Sequence, residues 1–282
     1  MTNIYTIKNN MNCTICKKKS NFYKTLEQVE LYYCRNCNHR FTDNNSIKKK
    51  ENYSKKYFNE KRPNWFKNPD IDIFIYIYKV ILNYKLNSSI IDIGCGNAAL
   101  LKYLYKKSKT FNLTGIDHYK NNYKNIKFYS GNIFKKKLKN KYDIVISVMV
   151  IEHIWDLDKF LKEQIKLCKK NGLIINVTIN ENSFLYKIAR FLNIIGYSKP
   201  MNMLYEKHHL NHFSKNSLEC LHKKNKLRII RNEESQFNID SLTLPKNNFL
   251  IILLYKSLLL IIFQIEKFFG EKNQQTLIVK KI

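Results

Sequence analysis

The chain has 282 residues, enough for one sizeable domain and a small appendage, and 44% of them are hydrophobic, as in an ordinary globular protein. Lys and Arg number 50 against 22 Asp and Glu, and the formal net charge of +28 suits a polyanionic partner, either nucleic acid or an anionic membrane surface. The lysines are scattered rather than clustered, as the codon bias of an AT-rich genome would leave them, so nucleic acid is not the favoured partner.

No signal peptide is visible, because residues 1–8 lack an apolar core segment. Seven cysteines in a chain without such a signal indicate reduced thiols and exclude a disulfide scaffold. We therefore predict a cytoplasmic location, in which the protein can also contact a membrane peripherally.

Two Cys-x-x-Cys pairs lie near the amino terminus, formed by Cys13, Cys16, Cys34 and Cys37. Each pair can sit on a tight turn and present two thiolates to one ion, so two pairs complete a tetrahedral zinc site. Four thiolates leave no open coordination position, which indicates a structural metal. The alternatives are four unrelated buried cysteines, or a site in which His39 replaces Cys37. We predict a zinc ribbon over residues 1–43.

Residues 44–85 are polar, basic and aromatic, and we predict a helical linker there. The aromatic residues either close over a bound cofactor or pack between the ribbon and the next domain; they are Tyr53, Tyr57, Phe58, Trp65 and Phe66. Asp70 can cap a helix over residues 71–82, although the spacing of apolar residues in this segment also fits a strand.

The most informative pattern lies within residues 89–104, where an apolar strand runs into a turn containing Gly94 and Gly96 and then into a helix-forming run. This geometry brings backbone N–H groups close to a nucleotide-like ligand. A second strand ends in Asp117, which is placed to accept hydrogen bonds from ribose hydroxyls. Further apolar strands are predicted over residues 127–132, 141–149 and 171–178. Strands that alternate with helical segments indicate a parallel sheet covered on both faces.

These residues resemble a known family over residues 85–180, the class I S-adenosylmethionine-dependent methyltransferases. The matching motifs are Asp92-x-Gly94-x-Gly96, then Asp117, then Gly131-Asn132, then Tyr142-Asp143, which opens a strand that ends near Glu152-His153. One departure is Ala98, which stands where the third glycine of the turn is usual. The alternative is a different Rossmann-type nucleotide protein.

The resemblance implies an α/β fold with a Rossmann-like, seven-stranded sheet, mostly parallel, whose antiparallel last strand matches residues 275–280. It also places a helix before the first strand and so favours a helix over residues 71–82. In the family the glycine turn wraps the methionine end of the cofactor, the acid holds the ribose, and the residue matching Asn132 contacts adenine. This implies a cofactor site formed by Asp92, Gly94, Cys95, Gly96, Asp117, Asn132 and Ser147.

We assign residues 86–282 to the methyltransferase domain, with an insertion over residues 181–213 that would choose the substrate. The insertion contains His208, His209 and His212, and its His-Leu-Asn-His-Phe-Ser run resembles zinc-ribbon methyltransferases of sugar and cell-envelope glycan pathways. It partly resembles deoxysugar C-methyltransferases as well, except that a histidine replaces their glutamate and their carboxyl-terminal domain is missing. A hydroxyl or carbon acceptor needs a base, and histidine is poised near neutral pH. The candidate bases are His153, His209 and His212; the alternatives for them are metal binding or plain surface positions.

The segment over residues 247–269 is the most hydrophobic of the chain, with Lys256 near its middle. Three interpretations are open: packing on the core or in a dimer, contact with a membrane interface, or a membrane anchor. A spanning anchor has to let the chain return to the sheet edge for its last strand, which counts against it.

The predicted function is methyl transfer from S-adenosylmethionine to an oxygen or carbon atom of a small molecule. The predicted acceptor is a sugar or a glycan intermediate of polysaccharide biosynthesis, either free or linked to a lipid. Methylation of a base in ribosomal or transfer RNA is an alternative, because large-subunit ribosomal RNA methyltransferases also join a zinc module to this core. A second alternative is a non-catalytic binding protein with a degenerate cofactor pocket.

Overall fold

The computed structural model describes residues 10–47, 63–119, 121–241 and 249–282. The amino-terminal part forms a small antiparallel sheet of strands β1 (Met11–Asn12), β2 (Lys19–Thr25), β3 (Glu30–Cys34) and β4 (His39–Thr42). Its core holds Cys13, Cys34 and Phe41, all fully buried. This sheet and its cysteines are consistent with the predicted ribbon.

The second sheet has seven strands and is the predicted Rossmann-like sheet. Its order is β11-β12-β9-β8-β5-β6-β7, and β12 alone runs antiparallel to its two neighbours. The strands are β5 (Ser89–Ile93), β6 (Asn112–Asp117), β7 (Lys127–Ser130), β8 (Tyr142–Val148), β9 (Cys168–Ile179), β11 (Leu227–Ser235) and β12 (Gln274–Lys281). The predicted fold class, including the antiparallel last strand, is confirmed.

Helices cover both faces of this sheet. They are α1 (Pro63–Lys67), α2 (Ile71–Tyr84), α3 (Ala99–Lys107), α4 (Leu157–Leu167), α5 (Phe184–Ile194), α6 (Lys199–Leu204), α7 (Lys215–Lys224) and α8 (Phe249–Phe269). One face packs against α2 and α3 through Ile77 and Leu101, and the other against α4 and α7 through Phe160 and Leu221. The two buried clusters explain why strands β5 and β8 are apolar along almost their whole length.

Segment α2 is helical, as predicted. The Asp70 carboxylate accepts a hydrogen bond from the Ile73 N–H at 3.2 Å, which caps the helix. Ile73, Phe74, Ile77 and Ile81 recur at helical spacing and are buried. The spacing of apolar residues in this segment fits both a helix and a strand, and the segment forms the helix.

The small sheet is completed by a strand from the distant insertion. Strand β10 (Asn211–His212) pairs antiparallel with β4, with Asn211 opposite Phe41 and His212 opposite Arg40. The predicted boundary between the ribbon and the rest of the chain therefore separates strands that share one sheet. Three of the predicted linker aromatics, Tyr53, Tyr57 and Phe58, lie outside the described residues.

The apolar carboxyl-terminal segment forms α8, which packs only in part. Ile262 and Phe263 are buried against Leu185 of α5, whereas other apolar side chains of α8 are exposed. Among the helices of the described residues, none has the length and apolar character needed to span a membrane.

Candidate active site

A cavity of about 910 Å³ lies at the carboxyl ends of the parallel strands. One half is lined by Gly94, Asp117 and Asn132, which lie at or just after the ends of β5, β6 and β7. The other half is lined by residues after β8, among them Glu152 and His153, and by side chains of the insertion and α8. A crevice at this edge is where open α/β sheets bind their ligands.

The glycine turn after β5 adopts left-handed backbone conformations, with φ of +76° at Gly94 and +53° at Gly96. A Cβ on Gly94 would lie 2.5 Å from Val150 Cγ2, and one on Gly96 would lie 2.9 Å from Phe66 Cε1. Ala98 has φ of +63° and is fully buried, so it takes the conformation of a glycine although it carries a methyl group. The turn is therefore held tightly between β8 and α1.

Replacing Gly94 with alanine should destabilise the protein by about 1–3 kcal/mol, because it adds a close contact with Val150 to the strain of a positive φ. Gly270 is the matched control: its φ is +75° and its Cβ would meet nothing within 4 Å. Chemical denaturation of Gly94→Ala and Gly270→Ala separates steric crowding from backbone strain. Equal losses of stability would show that Val150 does not press on the turn.

Asp117 joins the end of β6 to the glycine turn. Its Oδ2 accepts the Gly96 N–H at 2.8 Å, and its Oδ1 accepts the Tyr119 N–H at 2.7 Å. The Asn121 side chain donates to the Gly96 carbonyl at 2.6 Å, which fixes the far side of the turn. The carboxylate therefore borders the cavity in a fixed orientation.

Asp92 and Cys95 flank the turn in buried positions beside a small second cavity. Burial, with the nearby Asp117 charge, raises the pKa of Asp92 to about 8. Its Oδ1 has no hydrogen-bond partner among the described residues, so a cationic ligand group would satisfy it. Burial also raises the pKa of the Cys95 thiol, and its Sγ packs against Gly115 of β6 as a small core side chain.

Asn132 lines the cavity, as the cofactor prediction requires, whereas Ser147 does not. Ser147 is fully buried in β8 and donates to Asn176 Oδ1 at 2.6 Å, with Gln164 of α4 bonded to the same oxygen. The alternation of a strand turns this hydroxyl toward α4 and away from the ligand edge. The cavity is instead reached by Met149 and Val150, just after the strand.

Glu152 sits in the 3₁₀ turn Ile151–His153 and lines the cavity although it is buried. Burial raises its pKa to about 7, and its Oε2 accepts the Thr178 hydroxyl at 2.8 Å. A carboxyl group whose pKa is raised toward neutrality can donate a hydrogen bond when protonated and accept one when ionised.

Three histidine rings gather at the acceptor half of the cavity. The ring centroids of His153 and His209 are 4.9 Å apart, and those of His208 and His209 are 4.8 Å apart. His153 Nδ1 lies 2.8 Å from the His208 carbonyl oxygen, which can only accept, so Nδ1 carries the hydrogen. In the neutral ring Nε2 is then the nitrogen that can take up a proton. His208 is itself held by Glu206, at 2.8 Å from Nε2 to Oε2.

The third predicted base, His212, does not line the cavity. It is fully buried in β10, where its ring lies 4.5 Å from the Tyr205 ring, and burial holds its pKa well below the usual range. Neither ring nitrogen has a hydrogen-bond partner among the described residues. The structure therefore brings His153 and His209 together and leaves His212 beneath them.

A buried ion-pair cluster beneath the histidines escaped prediction. Glu181 is bonded to Arg40 of β4, to Arg190 of α5 and to the Tyr205 hydroxyl, the last at 2.7 Å. No local spacing relates these residues, which lie far apart in sequence. The only sequence signal for this cluster was an acidic residue, Glu181, shortly after β9.

Helices α1 and α8 also contribute residues to the walls of the cavities. Trp65 lines both cavities, and the Phe66 ring lies against Gly96 and 5.8 Å from the Tyr119 ring. The linker aromatics were predicted either to close over the cofactor or to pack between the ribbon and the next domain. These two side chains agree with the first interpretation, because they border the cofactor half. From α8, Leu258 and Ile262 line the acceptor half.

The four predicted metal ligands converge in the small sheet. Cys13, Cys16, Cys34 and Cys37 place their sulfur atoms within 4.8 Å of one another, with Cys13–Cys37 at 3.6 Å and Cys16–Cys34 at 3.5 Å. A tetrahedral zinc with Zn–S bonds of about 2.3 Å needs S–S edges of about 3.8 Å, so the sulfur atoms fit such an ion. His39 is instead hydrogen-bonded to Asn211, at 3.1 Å.

Comparison with known proteins gives one family over most of the chain. A family described as "Methyltransferase domain" matches residues 40–232. The ubiquinone biosynthesis O-methyltransferase of Pelagibacter ubique is 31% identical over 184 residues, which cover 57% of this chain and 73% of that protein. The protein of the same name from Rickettsia akari is 29% identical over 127 residues, covering 40% of this chain and half of that protein.

Solved structures agree on the fold. A phosphoethanolamine N-methyltransferase 2 of Haemonchus contortus, in complex with S-adenosyl-L-methionine, matches with a TM-score of 0.54 over 86% of this chain and 62% of that one. Sequence identity is 12%, so this likeness concerns the fold alone.

Proposed function

The chain belongs to the methyltransferase-domain family and is an S-adenosylmethionine-dependent methyltransferase, and we propose that it methylates a hydroxyl oxygen of an acceptor with an apolar body. The observation that carries the proposal is the single cavity that joins the turn at Gly94 and Asp117 to the histidines His153 and His209. Donor and acceptor would meet at Met149 and Val150, between the two halves.

The cofactor half suits S-adenosylmethionine on its own chemistry. Asp117 presents a fixed carboxylate to ribose hydroxyls, and the turn at Gly94 lets the backbone approach the ligand closely. Asp92, beside the second cavity, has an Oδ1 without a hydrogen-bond partner among the described residues, and this oxygen could accept a hydrogen bond from the ammonium group of the methionine end. When bound, this cofactor supplies a methyl group on a sulfonium, an electrophile that becomes a neutral thioether.

The acceptor half is lined mostly by apolar side chains, including Leu192 of α5, Met203 of α6 and Leu258 of α8. A free sugar would leave its hydroxyl groups unpaired against such a surface, at a cost for each group. The comparisons give no support to a role in polysaccharide biosynthesis. The relatives named O-methyltransferases of ubiquinone biosynthesis support an oxygen acceptor on a hydrophobic molecule.

His153 is the group we assign to the acceptor proton. Its Nδ1 is hydrogen-bonded to the His208 carbonyl, so in the neutral ring Nε2 is the nitrogen that can take up a proton, and the residue lines the cavity. His153 Nε2 would take the proton of the acceptor hydroxyl, and the bound cofactor would supply the methyl group, so that an O–CH₃ bond would replace the S–CH₃ bond. His209, with its ring centroid 4.9 Å away, would hold the His153 ring and the acceptor in line.

We further propose that the four-cysteine site holds structural zinc. The sulfur spacing and the absence of an open position in a four-thiolate set support this. With four cysteines assigned to zinc, Cys95, Cys168 and Cys220 remain as thiols, and we propose a reducing, cytoplasmic location for the protein.

Binding of S-adenosylmethionine, measured by calorimetry, tests the proposal. Asp117→Ala should weaken binding at least about 100-fold, because it removes charge-assisted hydrogen bonds worth about 1.5–3 kcal/mol each. Asp72→Ala, which removes an exposed carboxylate on α2, is the matched control and should leave affinity within about twofold.

Turnover with labelled cofactor then tests the acceptor. Hydroxylated aromatic compounds that carry an alkyl or isoprenoid chain should be methylated in preference to nucleotide sugars and to unmodified ribosomal or transfer RNA. Preferred methylation of nucleotide sugars or RNA would overturn the acceptor proposal, and absence of cofactor binding by the wild-type protein would overturn the function.

A further inference from the structure

Helix α8 carries an exposed apolar stripe along one side. Leu254, Leu258, Ile261 and Phe268 are 70%, 52%, 58% and 84% exposed, and their spacing places them within one quarter of the helix circumference. Ile262 and Phe263, which lie outside this stripe, pack onto α5. A soluble protein seldom leaves so many large apolar side chains in one row, unless the row meets a partner.

Neighbouring elements also expose apolar side chains. At the carboxyl end of α5, Phe191, Ile194 and Ile195 are 61%, 80% and 64% exposed, and Tyr197 and Met203 beyond them are 48% and 40% exposed. A Cβ at Gly196, between them, would meet nothing within 4 Å. Because α5 packs along α8 through Leu185, Ile262 and Phe263, we infer that the exposed apolar side chains of both helices lie on one surface, which we call the α5/α8 face.

The mouth of the acceptor cavity opens within this face. Leu254, Leu258, Tyr197 and Met203 are exposed and also line the cavity. An apolar molecule can therefore pass from the face into the cavity along a continuous apolar surface.

The charges around the face are mostly positive. Lys199 lies 5.9 Å from the Tyr255 ring of α8, and Lys267 is exposed on α8 itself. The nearby acids Asp240 and Glu271 are each bonded to a lysine, and Glu266 is buried. With a net charge of +28 on the whole chain, this arrangement complements an anionic surface.

We propose that the α5/α8 face docks on an anionic lipid bilayer, with the cavity mouth turned toward the lipid. An interfacial helix combines an apolar row with flanking lysines in this way, whereas a protein partner would not need the excess positive charge. The docking proposal does not depend on the proposed function. The further step, in which an acceptor passes from the lipid into the cavity, rests on the proposed methyl transfer.

Flotation with vesicles tests the docking. The full chain should float with vesicles of equimolar phosphatidylcholine and phosphatidylglycerol, and much less with phosphatidylcholine alone or at high salt. Ile261→Glu combined with Phe268→Glu should weaken binding at least about tenfold, because two apolar side chains no longer enter the interface. Neither residue lines the cavity.

Leu86→Glu is the control, since Leu86 is 66% exposed but precedes β5, at the edge of the sheet opposite the cavity. It should float like the wild-type protein. Wild-type protein that stays with the aqueous fraction overturns the proposal, and so does a stable dimer that Ile261→Glu dissociates, because the face would then belong to a second copy.

Methylation of a short-chain, water-soluble hydroxyl acceptor separates the two proposals. The Ile261→Glu and Phe268→Glu double variant should keep this activity within about twofold while losing flotation. Lack of methylation by the wild-type protein, with normal flotation, would count against the proposed function and leave the docking intact.

Discussion

Replacing Cys34 with serine, or removing the metal with a chelator, is expected to lower methyl transfer at least about 100-fold and to change the affinity for S-adenosylmethionine by less than about threefold. A metal-stapled segment of this size loses its fold with the ion, because binding energy is its folding energy. The cofactor half of the cavity contains no residue of the small sheet, so its geometry should persist.

The acceptor half depends on the small sheet through direct bonds. The Thr42 N–H donates to the Leu210 carbonyl at 2.9 Å, and the Thr42 hydroxyl donates to the His209 carbonyl at 3.1 Å. His39 Nε2 lies 3.1 Å from Asn211 Oδ1, and the Asn211 amide donates onward to the Ile154 carbonyl, one residue from His153. Loss of β4 would therefore release the segment that carries His209.

A second connection runs through charge. Arg40 of β4 and Arg190 of α5 share the buried carboxylate of Glu181, at the start of the insertion. Without Arg40, a buried carboxylate would lose one of its two cationic partners, which is strongly destabilising. Both connections would make the four-cysteine site a determinant of acceptor geometry, although none of the four cysteines lines the cavity.

Hydrogen exchange measures this effect without relying on turnover. After metal removal, amides of residues 205–213 should exchange much faster, and those of β5 and β6 should keep their protection. Cys220→Ser is the matched control, because Cys220 lies on α7 near the ribbon but outside the four-cysteine set. Unchanged exchange of residues 205–213 in the metal-free protein would refute the coupling.

The sequence was sufficient for those parts of the fold that local patterns determine. The strand, turn and helix around Gly94 and the cap at Asp70 were predicted because each depends on neighbours within a few residues. Asp117 was placed for the same reason, since the end of one parallel strand lies beside the end of the next. Family resemblance added the antiparallel last strand.

The remaining features depend on contacts between residues distant in sequence. Strand β10 is two residues long, and only its pairing with β4 makes it a strand. The burial of Ser147 and of His212 likewise follows from which side of a strand faces a helix or the ribbon, and a one-residue shift reverses it. Sequence spacing groups His208, His209 and His212 in the insertion, but packing places His208 and His209 in the cavity beside the distant His153 and leaves His212 outside it.

His153→Ala is expected to lower kcat by about 100- to 10,000-fold, the usual contribution of a general base, with little change in the affinity for S-adenosylmethionine. His153→Gln is the informative companion, because its amide can still donate to the His208 carbonyl but cannot take up a proton. Equal loss in both variants assigns the effect to proton transfer, whereas recovery in His153→Gln would assign it to positioning. His212→Ala should have a much smaller effect on kcat, since His212 lies outside the cavity.

The pH profile distinguishes His153 from the neighbouring carboxyl group. A base must be unprotonated to act, so kcat of the wild-type protein should fall as the pH drops below the pKa of the base. Burial raises the pKa of Glu152 to about 7, so Glu152 would produce the same acid limb if it took the proton instead. Glu152→Gln removes that titration and retains a side chain of the same shape. If the acid limb survives in Glu152→Gln and disappears in His153→Gln, the proton goes to the imidazole; the opposite pattern would move the base to Glu152 and leave His153 as the group that orients it.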